Sequence, residues 1–432
     1  MDILRWSNLT ALERNKALLR SDLVMESDVS DQVKQLVEYV KDNGDNAIIE
    51  LTKKFDQIDI VDLKVSNDAL GKAISLLDSK LIDAIQVAYS NIDAFHSAQI
   101  KQTIKVETLK GINCELRTEA IRSVGLYIPS GTAPLISTAL MLAIPASIAK
   151  CERVVLMSPP PINPAILHIA NMCGISEVYQ IGGVQAIAAL AYGTETIKPV
   201  DKIFGPGNRY VTAAKSLVAF DNRTTTTIDM PAGPSEVLII ADETANPTFV
   251  AADLLSQAEH GEDSQAILIT TSDKLAIDVI DSVNSQLVNL SRQEIVKKAL
   301  INSRVIVVDD NNEAINLSNQ YAPEHLIIQT RNPADDLNKI KAAGSVFLGN
   351  FTPESVGDYA SGTNHILPTY GYSRSVSSLS LSDFQRQFTV QSMTSDALMN
   401  LSDTVITLAM NEQLDGHANA IEVRKRFIQG NR

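Results

Sequence analysis

Histidines beside acidic and amide residues are the clearest chemical signal in this 432-residue sequence. Four of the six lie beyond residue 259, each near carboxylate, amide or turn residues: His260, His325, His365 and His417. Imidazole nitrogens and carboxylate or amide oxygens are ligands that a borderline metal such as zinc accepts, and an adjacent pair such as Glu324-His325 can serve acid–base chemistry. This pattern indicates a metal-containing enzyme.

Gln257 and His260 are three residues apart at the end of a predicted helix, so both side chains project from one face. They make a poor metal site alone, but Asp358 and His417 would raise the set to four ligands that zinc accepts. A polar helix end with a hydrogen-bonded histidine is the structural alternative, and the HExxH spacing of common zinc hydrolases is absent. A zinc site here requires distant segments to converge.

Glu324 and His325 fall where a predicted helix, ending near Gln320, meets a strand beginning near Leu326. Adjacent residues on an extended backbone point to opposite sides, so both can reach one substrate only from a turn. Pro323 makes such an irregular entry plausible. A Glu-His pair on the surface is the alternative explanation for these two residues.

Glycine-rich loops follow several predicted strands, although the GxGxxG pattern of dinucleotide-binding folds is absent. These loops contain Gly182-Gly183, Gly205-Pro-Gly207-Asn208 and residues 229–235. Glycines at the carboxyl end of a strand let backbone amides approach a phosphate, and open parallel sheets bind ligands at that edge. Tight turns without a ligand explain each loop nearly as well, but their clustering favours a binding site.

The chain beyond residue 150 alternates short apolar runs with helical patterns, which predicts parallel sheets covered by helices on both faces. Before it, residues 31–43 and 67–96 are expected to form long amphipathic helices. Residues 350–394 show no regular pattern, and a stretch of that length usually carries function. Two helices near 395–411 and 418–429 are expected to close the chain.

Composition limits the class of protein. The length exceeds what a single core supports, so we expect two or more domains. A net charge of −14 without a basic block argues against a nucleic-acid partner. The most apolar stretch, 132–150, is interrupted by Pro134 and Pro145 and fits a buried helix better than a membrane span. Three cysteines without CxxC spacing and the lack of a secretory signal predict a cytoplasmic protein with reduced, buried thiols.

Taken together, seven segments resemble the L-histidinol dehydrogenase family over essentially the whole chain. These segments are residues 124–131, 181–188, 204–208, 229–236, 256–261, 321–326 and 357–365. The resemblance implies an NAD-dependent oxidation of L-histidinol, through its aldehyde, to L-histidine, using two NAD and one water. It also implies one zinc per subunit.

The resemblance assigns roles residue by residue. It implies zinc ligands at Gln257, His260, Asp358 and His417, and an acid–base pair at Glu324 and His325. It implies NAD contacts at Tyr127, Gln185 and Asn208. Ser235 and Glu412 would join the metal ligands and His325 around the substrate.

The resemblance also implies an α/β fold with two incomplete Rossmann-like domains and small helical terminal domains. The expected parts are an N-terminal helical arm (1–25), a first Rossmann-like domain with the metal and acid–base residues (26–127 and 236–378), a second with the NAD site (128–235) and a C-terminal helical tail (379–432). The subunits would form an intertwined homodimer, in which Glu412 and His417 act across the interface.

Two rival functions remain open from the residues alone. A zinc hydrolase would use Glu324 to activate metal-bound water and would need no dinucleotide. A metal-binding scaffold without catalysis would tolerate a change at His325. Within the dehydrogenase hypothesis we expect zinc to anchor the substrate, because four protein ligands leave little room for a reactive water.

Overall fold

The computed structural model describes residues 1–20, 27–130, 134–230 and 233–430. The chain divides into two compact units. The first unit contains Met1–Gln99 and Ile121–Phe384, and the second contains Ile100–Ala120 and Gln385–Arg432. Each unit is described by itself.

The strands of the described residues, in chain order, are β1 (Asp2–Arg5), β2 (Ile104–Leu109), β3 (Ile112–Ala120), β4 (Ser123–Tyr127), β5 (Arg153–Ser158), β6 (Glu177–Gln180), β7 (Lys202–Phe204), β8 (Thr227–Ile228), β9 (Glu236–Ala241), β10 (Gln265–Thr270), β11 (Arg304–Val307), β12 (His325–Gln329), β13 (Ser345–Leu348) and β14 (Gln385–Met393).

The α-helices, in the same order, are α1 (Ala11–Ala17), α2 (Ser27–Asp56), α3 (Asn67–Lys72), α4 (Ser79–Ser97), α5 (Ile136–Ala149), α6 (Pro164–Met172), α7 (Gly183–Tyr192), α8 (Arg209–Ala219), α9 (Pro247–Ala258), α10 (Asp273–Leu287), α11 (Gln293–Ile301), α12 (Asn311–Tyr321), α13 (Pro333–Leu337), α14 (Glu354–Tyr359), α15 (Ser395–Asn411) and α16 (Asp415–Gly430).

A six-stranded parallel sheet in the first unit has the strand order β1-β11-β10-β9-β12-β13. Its central strands are apolar because both faces are covered. Val237 and Ile239 of β9 pack into a core with α9, α10 and α11, whereas Leu238 and Ile240 pack on the opposite face with α12. This alternation follows from the two-residue period of a strand.

A five-stranded parallel sheet in the same unit has the order β6-β5-β4-β7-β8. Val155 and Met157 of β5 face a core shared with α2, α7 and α8. Leu156 faces the other core, which contains α5 and α6. Helix α5 lies within the apolar stretch expected to be a buried helix, and its residues from Thr138 to Ala146 are buried throughout. Within the described ranges, no helix combines the length and apolarity needed to cross a membrane.

The second unit is an antiparallel three-stranded sheet, in the order β14-β3-β2, with helices α15 and α16. Gly111, in the turn between β2 and β3, has a positive φ of 84°. Strand β14 pairs with β3 along its full length, from Gln385 opposite Ala120 to Met393 opposite Ile112. The sheet therefore joins two segments that are far apart in sequence.

The observed fold class is the expected one, an α/β fold with two parallel sheets plus helices. Helices α6 and α9 each begin at an Asn-Pro pair. The Asn163 side chain accepts a hydrogen bond from Ala165 N–H at 2.8 Å, and Asn246 accepts one from Thr248 N–H at 2.9 Å. Each asparagine therefore caps its helix, with proline at the first helical position.

Two sequence-based expectations about secondary structure are wrong. A single helix over 67–96 is replaced by α3, a 3-10 turn and α4, because Asp78 caps a new helix through Leu81 N–H. The stretch 350–394 is not irregular throughout, since it contains α14 and β14. Strand β14 is mostly exposed and polar, so pairing with β3 rather than apolar alternation determines it.

Candidate active site

A cleft of about 150 Å³ within the first unit lies where the two parallel sheets meet. The five-stranded sheet contributes its carboxyl edge, because Gly205 and Pro206 directly follow β7. The six-stranded sheet contributes its amino edge, because Ser235 precedes β9 and His325 begins β12. The usual preference of ligands for the carboxyl edge therefore accounts for only one wall of the cleft.

Helix α9 supplies the first two proposed metal ligands. Its carboxyl end lies at the amino edge of the sheet because α9 runs antiparallel to the strands that flank it in sequence. Gln257 is fully buried near that end, and His260 lies three residues further, in the turn after the helix, with 44% of its side chain exposed. His260 also lines the cleft.

Helix α14 supplies two carboxylates that converge on the same point. Glu354 and Asp358 are four residues apart and therefore share one face of the helix. One ligand atom each from His260, Glu354 and Asp358 lies within 4.8 Å of the others. The Gln257 amide, with its nitrogen facing Glu354, donates to that carboxylate, and its oxygen lies 2.7 Å from the Glu236 N–H, which it shares with Glu324 Oε2. These nitrogen and oxygen donors suit a cation of the zinc type.

The Glu324-His325 pair is buried at the start of β12, and both residues line the cleft. Glu324 Oε2 accepts from Glu236 N–H at 2.7 Å and lies 3.6 Å from His325 Nδ1. Ala322, with a φ of +56°, ends the preceding helix in a left-handed turn. The irregular entry expected from the sequence is therefore present, and it allows adjacent side chains to reach one space.

The two ring nitrogens of His325 have different surroundings. Nδ1 lies 3.2 Å from the Glu236 carbonyl oxygen, which can only accept, so Nδ1 is the protonated nitrogen of the neutral ring. Nε2 lies 3.4 Å from Asp358 Oδ1 and has no hydrogen-bond partner among the described residues. Nε2 is thus the nitrogen available for chemistry in the cleft.

The carboxylates control the protonation of this cluster. Burial by itself lowers the pKa of His325, but the negative charges of Glu354, Glu324 and Asp358 outweigh it and raise the pKa well above its ordinary value. Burial raises the pKa of Glu354 well above its usual range. Burial also opposes ionisation of Asp358, but His325 more than compensates and lowers the Asp358 pKa. The cluster therefore has excess negative charge that a proton or a metal ion can balance.

His365 is a further imidazole in the cleft wall. Its Nδ1 lies 2.8 Å from the Asp358 carbonyl oxygen, and its Nε2 lies 3.1 Å from Thr138 Oγ1 on α5. Burial lowers its pKa, which favours the neutral ring. His365 thus connects α5 to the segment that carries Asp358.

The residues expected to contact NAD lie at the carboxyl edge of the five-stranded sheet. Tyr127 ends β4, and its hydroxyl accepts from Gly183 N–H at 3.1 Å, with burial raising its pKa to about 12. Gln185 is buried on α7, whereas Asn208 is exposed and caps α8 through Tyr210 N–H at 3.0 Å. The structure gathers these residues, but none of the three expected side chains lines the cleft itself.

A buried ion pair holds the loop that does line the cleft. Asp229 Oδ2 accepts from Gly205 N–H at 2.8 Å, and Lys215 Nζ donates to the Gly205 carbonyl oxygen at 2.7 Å. The two side chains also pair with each other at 2.5 Å. Gly205 has a φ of +123°, and a Cβ there would lie 2.1 Å from the Tyr127 carbonyl oxygen. Only glycine fits this position.

The remaining expected residues lie in different places. Ser235 is half-buried and lines the cleft. Glu412 and His417 belong to the second unit, where Glu412 ends α15 and His417 lies in the first turn of α16. Both are exposed in that unit.

Sequence reasoning missed several residues of the cleft and its supports. Glu354 could have been found from its four-residue spacing to Asp358. Asp229 stands within a loop that the sequence singled out, but its partner Lys215 carries no local signal. Glu236 was visible only as the neighbour of Ser235, since its role depends on contacts with Glu324 and His325.

Comparison with known proteins identifies the family of this chain. A family model described as histidinol dehydrogenase matches residues 19–425. The chain is 58% identical to a histidinol dehydrogenase of Shewanella oneidensis, with all of both chains covered, and 52% identical to one of Vibrio cholerae, with 98% of each covered. A crystal structure of histidinol dehydrogenase from Elizabethkingia anophelis superposes with a TM-score of 0.95 at 47% identity, covering 99% of both chains.

The fold, the cleft and these matches place the chain among α/β oxidoreductases. More narrowly, it belongs to the histidinol dehydrogenase family.

Proposed function

We propose that this protein oxidises L-histidinol, through L-histidinaldehyde, to L-histidine, with two NAD as oxidants, in the last steps of histidine biosynthesis. The observation that carries the proposal is the buried His325 Nε2, which lacks a hydrogen-bond partner among the described residues and lines a cleft beside Glu324 and Asp358. The full-length relatives bear the name of an enzyme with this substrate.

We infer that one zinc ion binds per subunit, held by Gln257, His260, Asp358 and His417. The fit is supported by the convergence of ligand atoms from His260 and Asp358, and by the buried carboxylate of Glu354 beside Gln257. When bound, zinc would anchor the imidazole and amine nitrogens of the substrate and offset the negative charge that raises the His325 pKa. Ser235 and Glu412 would complete the substrate site.

His325 would serve as the base in both oxidations. In the first, Nε2 takes the hydroxyl proton of the alcohol while the carbon loses a hydride, and two electrons leave with that hydride. The Glu236 carbonyl fixes Nδ1–H, so that Nε2 faces the cleft. An imidazole in this role contributes typically about 10²–10⁴-fold to the rate.

Glu324 would act mainly in the second oxidation. An aldehyde has no hydroxyl to deprotonate, so water must add first. The Glu324 carboxylate, 3.6 Å from the His325 ring, would remove a proton from that water while His325 protonates the carbonyl oxygen. The resulting hydrate then loses a proton and a hydride, as the alcohol did, to give the carboxylic acid.

NAD would lie along the carboxyl edge of the five-stranded sheet, in contact with Tyr127, Gln185 and Asn208. When bound, its nicotinamide ring would accept the hydride. The Gly205 loop supports this placement, because it follows β7 at that edge, lines the cleft and is held by Lys215 and Asp229.

We also propose an intertwined homodimer in the cytoplasm, in which Glu412 and His417 of one subunit complete the site of the other. In this arrangement, His417 of one subunit would lie beside the His260–Asp358 cluster of the other. The exposure of both residues in the second unit is compatible with that role.

The function is tested by NADH formation from L-histidinol, before and after chelation of the metal. We expect two NADH for each histidine formed, loss of the activity with the chelator, and recovery with zinc. Turnover without NADH, as a metal-dependent hydrolase would show, contradicts the proposal.

A further inference from the structure

Arg20 lies in the segment after α1, and its side chain is only 14% exposed. The guanidinium forms a two-point contact with Glu236, with Nε 2.5 Å from Oε1 and Nη2 2.9 Å from Oε2. It also stacks on Tyr321, with Cζ 3.9 Å from the ring centre. The Glu236 carboxylate and the Tyr321 ring together fix the planar guanidinium group of Arg20 in one position.

Glu236 connects this arginine to the acid–base pair. Its side chain is held by Arg20 and by Tyr370 N–H at 2.9 Å. Its backbone N–H donates to Glu324 Oε2 at 2.7 Å, and its backbone carbonyl lies 3.2 Å from His325 Nδ1. One residue thus contacts both members of the pair through its backbone while Arg20 fixes its side chain.

Arg20 reaches the same pair by a second route. Nη2 donates to the carbonyl oxygens of Tyr321 at 2.8 Å and Ala322 at 3.3 Å. These carbonyls belong to the left-handed end of α12, which precedes Glu324 by two residues. Arg20 therefore ties the start of β9 to the turn that begins β12, and the acid–base pair lies where these two elements meet.

We propose that Arg20 is a positioning residue for Glu324 and His325, acting through Glu236 and the 321–322 turn without contact to substrate. The inference rests on the proposed function, because it matters for catalysis only if that pair performs it. A misplacement of about 1 Å at a catalytic group can lower the rate by about 10²-fold. We therefore expect loss of the Arg20 contacts to lower kcat.

The test compares Arg20→Met with Arg304→Met in the zinc-loaded full chain. Arg304 is the matched control, because it also holds this segment. It donates to the Ala17 carbonyl at 2.7 Å and to the Leu19 carbonyl at 3.2 Å. Within the described part of the chain it forms no hydrogen bond or ion pair with Glu236. We expect Arg20→Met to lower kcat by about 10²-fold, with KM and the affinity for zinc unchanged, and Arg304→Met to keep the parent kcat. Equal losses in the two variants overturn the inference, because they would reflect loss of the segment's docking alone.

The conservative variant Arg20→Lys separates geometry from charge. It keeps a cation for Glu236 but lacks the fork that also reaches the 321–322 carbonyls, so we expect a kcat between those of the parent and Arg20→Met. If Arg20→Met does not fold, this variant carries the test. A kcat equal to that of the parent overturns the inference.

A double variant shows whether Arg20 acts through the pair. When His325→Asn has already removed the base, Arg20→Met should lower kcat by clearly less than it does alone. Losses that multiply instead contradict the inference. The proposed function fails separately, in the single variant, if His325→Asn keeps the parent kcat.

Discussion

Glu354 is a buried carboxylate beside proposed metal ligands, although sequence reasoning gave it no role. It is 1% exposed, accepts from the Gln257 amide and contributes a ligand atom to the His260–Asp358 cluster. Burial disfavours the ionised form of this carboxyl group, and a cation bound nearby would stabilise that form. Its spacing to Asp358 was readable from the sequence, whereas its contact with Gln257 depends on the fold.

We expect Glu354→Gln to weaken zinc binding by about 10–100-fold, because it removes one negative charge and a hydrogen-bond acceptor for Gln257. Competition with a chromophoric chelator measures this affinity without reference to activity. The matched control is Glu262→Gln, an exposed glutamate near His260 that pairs with Lys298 at 2.6 Å. A zinc affinity equal to that of the control variant rules out the role given to Glu354.

Asp253 provides a prediction about pH and stability. It is buried on α9, where Oδ2 accepts from Gln329 Nε2 at 3.0 Å, and burial raises its pKa to about 7. Because the folded pKa is above the ordinary value, the unfolded chain ionises first as pH rises. Burial of the protonated Asp253 side chain therefore contributes its full stabilisation of the folded chain below about pH 4. This contribution is lost as pH rises to about 7.

Asp253→Asn should therefore stabilise the protein, and by about 1–2 kcal/mol more at pH 8 than at pH 5.5. The new amide can also donate to Gln329 Oε1, which has no partner among the described residues. Urea denaturation midpoints of both proteins at the two pH values measure the effect. A stabilisation that does not grow with pH would show that Asp253 ionises normally in the folded chain.

Helices and strands can be predicted from the sequence where residues close together in the chain determine them. Local residues determine strands β9 and β10, which are apolar runs, and the starts of helices α6 and α9, which are capped by asparagine. The alternation of strands and helices predicted for this part of the chain is observed. Strands β2, β3 and β14 left no such signal, because long-range backbone pairing forms their sheet.

The loop after β7 gives a prediction at this scale. Gly205→Ala should raise the KM for NAD by at least about 10-fold, because the new Cβ collides with the Tyr127 carbonyl and displaces the loop. Gly174→Ala is the matched control, since Gly174 also has a positive φ, of +72°, but open space around it. We expect the control to lose only about 1–2 kcal/mol of stability. Similar KM values in the two variants would show that the loop does not contribute to NAD binding.

For the whole molecule, the sequence predicts candidate site residues but not how the fold arranges them. Periodicity cannot show that α9 and α14 converge, because Gln257 and Glu354 are nearly a hundred residues apart in sequence. Arg20 is an even clearer case, since its partner Glu236 is 216 residues away. The proposed contribution of His417 from a second subunit is still harder to predict from the sequence, because the contact would join two chains. Subunit mixing tests it.

Mixing inactive His260→Ala and His417→Ala proteins under conditions that exchange subunits should restore about a quarter of the parent activity. Half of randomly mixed dimers are hybrids, and a shared site leaves one intact centre in each hybrid. Each variant mixed with itself serves as the control. No recovery, with hybrid dimers verified by mass spectrometry, would mean that each site takes all its ligands from one chain.

The division of acid–base work between Glu324 and His325 is tested by counting the NADH formed per L-histidinol consumed by zinc-loaded Glu324→Gln. The parent protein should give two. Glu324→Gln should approach one and accumulate the aldehyde, because His325 still serves the first oxidation while addition of water to the aldehyde is impaired. His325→Asn should slow both oxidations. An unchanged ratio of two in Glu324→Gln, with both oxidations slowed equally, would contradict the division of acid–base work between Glu324 and His325.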